Sequence, residues 1–237
     1  MLDLQELDAR ADQLRHQRRT LPELADIEAQ QKSRAELDGQ LVDAQMTVDD
    51  LETERAKIDA DVEQARARKT RDQEKIDQGL VSNPKDLQRM LHELESLDRR
   101  ITTLEDQELE VMEQLEEAQR TLDSLMVEVT ATDERIASLT TSRDEKTAAI
   151  DTDLAGVEAD RAPTVDGLPE DLLKLYDRLR DQKGGIGAAA LRARQCGGCR
   201  LTLDAAELAT IRSAASDEVI RCEECQRILV RTAESGL

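Results

Sequence analysis

Three features of this sequence predict a mainly α fold, a long antiparallel coiled-coil hairpin followed by a small four-cysteine α+β domain. Apolar residues recur at alternating steps of three and four through most of residues 1–160, and a break bearing Gly and Pro falls midway, near residues 78–84. All four cysteines lie between residues 196 and 225, as two CxxC pairs. A sustained 3.5-residue repeat marks helices that bury a narrow seam against each other. Composition agrees: there is no Trp, no Phe and one Tyr (Tyr176), while 36% of residues are charged. A large globular core built on aromatic area is excluded.

From Leu87 the repeat runs through Met90, Leu94, Leu97, Ile101, Leu104, Val111, Leu115, Leu122 and Leu125 to Val157, with polar lapses toward its far end. The first arm is weaker: Leu37, Leu41, Ala44, Val48, Leu51, Ile58 and Val62, with Leu7, Leu14 and Leu21 upstream in another phase. In "TLPE", Thr20 and Glu23 suit a capping box, and Pro22 predicts a kink or restart. Between the arms, "DQGLVSNPKDLQ" reads as a hairpin turn. Gly79 ends one helix; Asn83 caps the next, with Pro84 at its first position and Asp86 at its third. The arms match at roughly 75 residues each, so the chain folds back on itself; oligomerisation stays open.

"RAPTVDGLPED" (161–171) reads as the domain boundary, and residues 161–183 as a linker and short amphipathic helix, "PEDLLKLYDRLRDQK". Residues 184–237 form the last domain, with strands expected in "AAALRARQ" and "EVIRCEECQRILVR" and a helix in "DAAELATIR".

A CxxC turn points two sulfurs at one place, and two such turns complete a tetrahedral shell. Cys196, Cys199, Cys222 and Cys225 are therefore the expected ligands of one structural Zn2+, and the domain a C4-type zinc ribbon. Gly197 and Gly198 are expected to ease the first turn through unusual backbone angles; Gln226 must tolerate the second, at about 1 kcal/mol if left-handed. A thioredoxin-like redox pair lacks its βαβ context, and so small a domain offers little shell for an iron–sulfur cluster. Four thiolates leave no open coordination position, and His16 and His92 lie on the long helices, so no enzyme is expected.

Charge is lopsided. Residues 1–162 hold 22 Lys and Arg against 41 Asp and Glu, residues 163–237 hold 11 against 12. The coil should repel nucleic acid and anionic membranes. In the ribbon, Arg192 and Arg194, two apart on an expected strand, share a face that Arg200, Arg221, Arg227 and Arg231 could extend into an anion-binding or partner-binding patch. The start, MLDLQELDAR, does not resemble a signal peptide, and no apolar stretch is long enough to span a membrane; the expected location is the cytoplasm.

"LPEDLLKLYDRLR", "KGGIGAAALRARQCGGCRLTL", "VIRCEECQRILV" and the turn segment "SNPKDLQRMLHELESL" resemble the bacterial C4-type zinc-ribbon family with an N-terminal coiled-coil hairpin. The resemblance implies the same four cysteine ligands and an adaptor role; some members are linked to flagellar or type III secretion systems. Gln226 and Glu223 depart from the family, which usually has glycine and proline there. The expected function is a non-enzymatic adaptor that recognises a protein partner through the ribbon or the tip residues Asn83, Pro84, Lys85, Asp86 and Leu87. The alternative is a nucleic-acid-binding regulator that uses the arginine-bearing face.

Overall fold

The computed structural model describes residues 1–237. The elements are α1 (Leu2–Arg19), α2 (Pro22–Asp77), α3 (Pro84–Asp166), α4 (Glu170–Gln182), β1 (Ala188–Arg192), β2 (Gln195–Cys196), α5 (Ala205–Ser213) and β3 (Ile228–Val230). They form two compact units, Asp26–Leu139 and Met1–Ala25 with Thr140–Leu237.

In the first unit α2 and α3 are an antiparallel pair. The buried positions Leu37, Val48 and Val62 on α2, and Leu94, Leu97, Ile101, Val111 and Leu122 on α3, follow the seam expected from the repeat, and Ile27 and Ala65 extend it. Cross-helix ion pairs set the direction, because the partner number falls as the first rises: Arg34–Asp133 at 2.8 Å, Arg66–Glu105 at 2.7 Å and Lys69–Asp98. The turn forms as its residue types require. Gly79 is left-handed (φ 68°), and the Leu80 N–H closes onto the Lys75 carbonyl at 3.1 Å. Asn83 Oδ1 then accepts the Lys85 N–H at 3.0 Å, capping α3.

In the second unit α1 and α2 separate around Pro22, but no capping box forms. The Thr20 hydroxyl donates back to the His16 carbonyl (2.9 Å), while Glu23 pairs with Lys146 and accepts from Ser142 at 3.1 Å. A cross-helix cation outcompetes the local cap for this carboxylate. α3 ends inside the expected boundary segment, 161–171, but beyond its first proline. α3 continues through Pro163 to Asp166, because the apolar cluster of Leu4, Tyr176, Leu179, Ala188 and Ile228 takes in Val165, Leu168, Leu172 and Leu173. That burial outweighs what one proline removes from a last turn.

Asp8 lies inside this unit, 2% exposed, in the stripe Leu4, Asp8, Ala11, Leu14. Arg161 Nε donates to its Oδ1 (2.7 Å) and the Tyr176 hydroxyl to its Oδ2 (2.8 Å), so the carboxylate is paired and hydrogen-bonded, as burial demands. α1 reaches the ribbon through Gln5. Its Oε1 accepts the N–H groups of Gly187 (2.7 Å) and Ala188 (3.1 Å), and its Nε2 donates to the Gly185 carbonyl (2.8 Å). Gly187 must be glycine: a Cβ would stand 2.7 Å from the Tyr176 ring.

The sheet order is β2-β1-β3. β1 pairs parallel with β3, with Ala188, Ala189 and Ala190 opposite Ile228, Leu229 and Val230; it pairs antiparallel with β2 through Leu191 and Cys196. "AAALRARQ" is therefore two strands, turned at Ala193 (φ 46°) and Arg194 (φ 64°), and "EVIRCEECQRILVR" is strand only at its end.

Burial, and then the bond to Asp8, raise the Tyr176 pKa above the ordinary phenol value. Below pH about 10 both folded and unfolded chains keep the proton, so the contribution is whole; above it only the unfolded chain loses it, and stability falls as pH rises. As Tyr176 is the only tyrosine, tyrosinate absorbance should appear well above pH 10 and together with loss of native structure. A midpoint near 10 with the fold intact would contradict this burial.

Candidate metal centre

Two knuckles with the same backbone pattern bring the thiols together. In the first, the Arg200 N–H donates to the Cys196 carbonyl (2.7 Å) and the Cys196 N–H to the Leu201 carbonyl (3.0 Å). In the second, the Gln226 N–H donates to Cys222 (2.9 Å) and the Cys222 N–H to Arg227 (3.0 Å). The residue after each second cysteine is left-handed, Arg200 at φ 64° and Gln226 at φ 66°. Each costs about 1–2 kcal/mol without glycine. Gln226 offsets part of this: its side-chain amide donates to the Glu223 carbonyl (2.9 Å) and the Cys222 carbonyl (3.3 Å).

The role expected for Gly197 and Gly198 is corrected. Neither has a positive φ. They are small because their surroundings are close: a Cβ at Gly197 would lie 2.9 Å from the Ala190 carbonyl oxygen, and one at Gly198 2.6 Å from Arg227 Cδ.

The sulfurs of Cys196 and Cys225 are 3.8 Å apart, those of Cys199 and Cys222 3.9 Å, and all four lie within 4.8 Å of one another. Four thiolates about 2.3 Å from one tetrahedral zinc stand about 3.8 Å apart. The donor set fits zinc and closes its shell. An iron–sulfur cluster interposes several atoms between its thiolates and spreads them farther. Burial pushes the Cys196 thiol up and that of Cys222 up to about 12. At Cys225 burial also acts upward, but hydrogen bonds from the Arg227 backbone and side chain and from neighbouring thiols outweigh it and leave about 7. A divalent cation is what lets four such thiols ionise together.

Arg227 joins this centre to the chain before β1. Its guanidinium donates to the carbonyls of Ile186 (2.9 Å) and Lys183 (2.8 Å) while it supports Cys225. Other members of the expected arginine patch are similarly engaged. Arg231 donates to the carbonyls of Ile211 (3.2 Å), Ala214 (2.7 Å) and Ala215; Arg221 to Gln226 (3.0 Å); and Arg194 to Gly236 (3.1 Å). Arg192 ends β1 beside Glu234 (3.3 Å), and Arg194 lies in the following turn, so the pair does not share a strand face. Gln5, Asp8 and Arg161, which position the ribbon's first strand and Tyr176, escaped sequence reasoning. The signal was present in Asp8, a carboxylate at a 3–4 spaced apolar position.

A profile described as the CT398-like coiled coil hairpin domain matches residues 4–184, and one described as the C4-type zinc ribbon domain matches residues 195–229. An uncharacterised protein of Mycobacterium tuberculosis (strain H37Rv) is 34% identical over 98% of this chain and 94% of its own length. A solved structure from Mycobacterium smegmatis superposes with a TM-score of 0.83 at 30% identity, covering 97% of this chain and 94% of that one. CT398 from Chlamydia trachomatis has the same fold, with a TM-score of 0.53 at 20% identity over 98% and 95% of the two chains.

The purified chain should contain one zinc, and Cys222→Ser should lose it. A strong chelator should abolish amide protection in β1 and β3, and acid should release the metal because each thiolate must then be protonated. Unchanged protection in these strands after complete metal removal would contradict a structural role.

Proposed function

This chain belongs to the CT398-like coiled-coil hairpin family with a C4-type zinc ribbon, and from that premise we propose that it is a non-enzymatic adaptor. It recognises a protein partner through the ribbon surface or the hairpin tip. The observation that carries this reading is the closed sulfur shell. Four thiolates leave zinc no position for water or substrate, so the metal's contribution is to fold a small recognition head. The tip residues are suited to contact: the cap made by Asn83 and Pro84 holds Lys85 and Leu87 on the first turn of α3, and Leu80 in the turn is 66% exposed.

Protein is favoured over nucleic acid as the partner. Four of the six arginines of the expected patch direct donors to backbone carbonyls, and no aromatic residue is available in the ribbon to stack a base. Cysteines gathered as a metal shell rather than as disulfides suit a reducing cytoplasm, where the adaptor would act. No helix is long and apolar enough to cross a membrane.

A photo-cross-linking residue placed at Leu80 or at Leu201, which is 50% exposed on the ribbon, tests this in host cells. At least one position should give a discrete protein adduct that protease destroys and nuclease does not. Adducts at both positions sensitive to nuclease instead would replace the adaptor with the nucleic-acid reading.

A further inference from the structure

Charge along the α2–α3 pair is segregated. Residues 26–63 hold four Lys and Arg against twelve Asp and Glu, and residues 101–139 hold two against eleven. Between them, residues 64–100, the turn and the helical segments flanking it, hold nine against seven. A strongly acidic hairpin thus carries one basic band.

Ion pairing accounts for part of that band. Across the helices Arg66 pairs with Glu105 (2.7 Å), Arg68 with Glu93 (2.7 Å) and Lys69 with Asp98; within a helix Arg66 meets Glu63 (3.1 Å), Arg68 and Lys75 meet Asp72 (3.9 and 2.9 Å), and Arg89 meets Asp86. Arg71, Lys85, Arg99 and Arg100 make no such pair; Arg71 and Arg99 reach only the carbonyls of Ala67 (3.2 Å) and Glu95 (3.3 Å), one turn back. Arg100 on α3 and Arg68 on α2 line one cavity of about 120 Å³. Its other lining residues are Asp61, Gln64 and the buried Ala65 and Leu97 of the seam. Coiled coils stabilise such flanking positions with opposite charges; here Arg68 turns to Glu93 and Asp72, and Arg100 shares the groove with it but has no ion-pair partner of its own.

We infer that this band is the docking site of an acidic helical segment of a partner protein, a carboxylate of which sits between Arg68 and Arg100 above Ala65 and Leu97. The inference rests on the adaptor reading and names the chemistry of its partner. Charge complementarity selects the occupant. Nucleic acid fits poorly, because a polyanion longer than the band would run onto carboxylate-rich helix on either side, and this hairpin has no aromatic side chain to stack a base.

The test uses the full, zinc-loaded chain and three probes: an amphipathic helical peptide bearing Glu and Leu, the same peptide with Gln for Glu, and an oligouridylate. The acidic peptide should bind in low salt, weaken as salt rises, and shift amide resonances of residues 64–100. The Gln peptide should bind more weakly, and Arg68→Gln with Arg100→Gln should lower affinity about five- to tenfold, as expected for two exposed charges. Arg100→Gln alone, which breaks no ion pair, should weaken binding with its melting temperature unchanged, separating docking from folding. Arg192→Gln in the ribbon should have no effect.

No binding of the acidic peptide in low salt, equal binding of both peptides, or indifference to the double substitution each overturns the inference. Stronger binding of the oligouridylate at the band would assign it to nucleic acid. Self-association abolished by the double substitution would make the occupant a second copy. If the band fails while cross-linking at Leu80 or Leu201 still captures a protein, the adaptor reading stands without it; if cross-linking fails too, both fall.

Discussion

Two short strands, β1 and β3, run side by side in the same direction over three residue pairs, and the four sulfurs fix them in place. Parallel strands this short do not stay paired on ladder hydrogen bonds alone. The buried cluster around them holds Ala189, Leu191, Leu203, Leu208, Ile211 and Leu229 with Cys196 and Cys222, and contains no aromatic ring. A core of that size leaves little net stability once chain entropy is counted. Zinc replaces the missing apolar area by tying the knuckle after β1 to the knuckle before β3. The left-handed Arg200 and Gln226 are tolerated because that geometry brings the sulfurs within reach of one ion.

The other side of the same strands is held by different chemistry. Ala188 and Ile228 pack against Tyr176 and Leu4, and Tyr176 in turn donates to Asp8. A carboxyl group at this depth stays buried because Arg161 and the phenol satisfy its oxygens together. Its registry role is legible in the contacts: the helix that carries Asp8 also carries Gln5, whose amide closes on Gly185, Gly187 and Ala188. α1, α4 and β1 are thereby fixed with respect to one another. Arg227 completes the link, joining Cys225 to the carbonyls of Lys183 and Ile186.

What the sequence revealed, and what it concealed, divides along the range of the interactions. The seam of α2 and α3 was legible because periodicity is a local property: Leu37, Val48, Val62, Leu94, Ile101 and Val111 are buried where the repeat placed them. The turn was legible because Gly79 and Asn83 act on their own neighbours. The cysteine spacing fixed the ligand set. Where within 161–171 α3 would end was not legible, since the packing that carries it past Pro163 comes from α4 and α1. Gly197 and Gly198 were correctly noticed for the wrong reason, because the atoms that crowd them, the Ala190 carbonyl oxygen and the Arg227 side chain, are close only after folding. Arg194, Arg221, Arg227 and Arg231 read as surface charges in the sequence because the backbone carbonyls they meet come close only on folding.

The central claim is that one zinc, bound by four thiolates and nothing else, holds the ribbon together. X-ray absorption at the zinc edge of the purified chain tests it most directly. A single shell of four sulfurs at about 2.3 Å is expected. A nitrogen or oxygen ligand in that shell would show an open or borrowed coordination position, and the structural role assigned to the metal would not survive it.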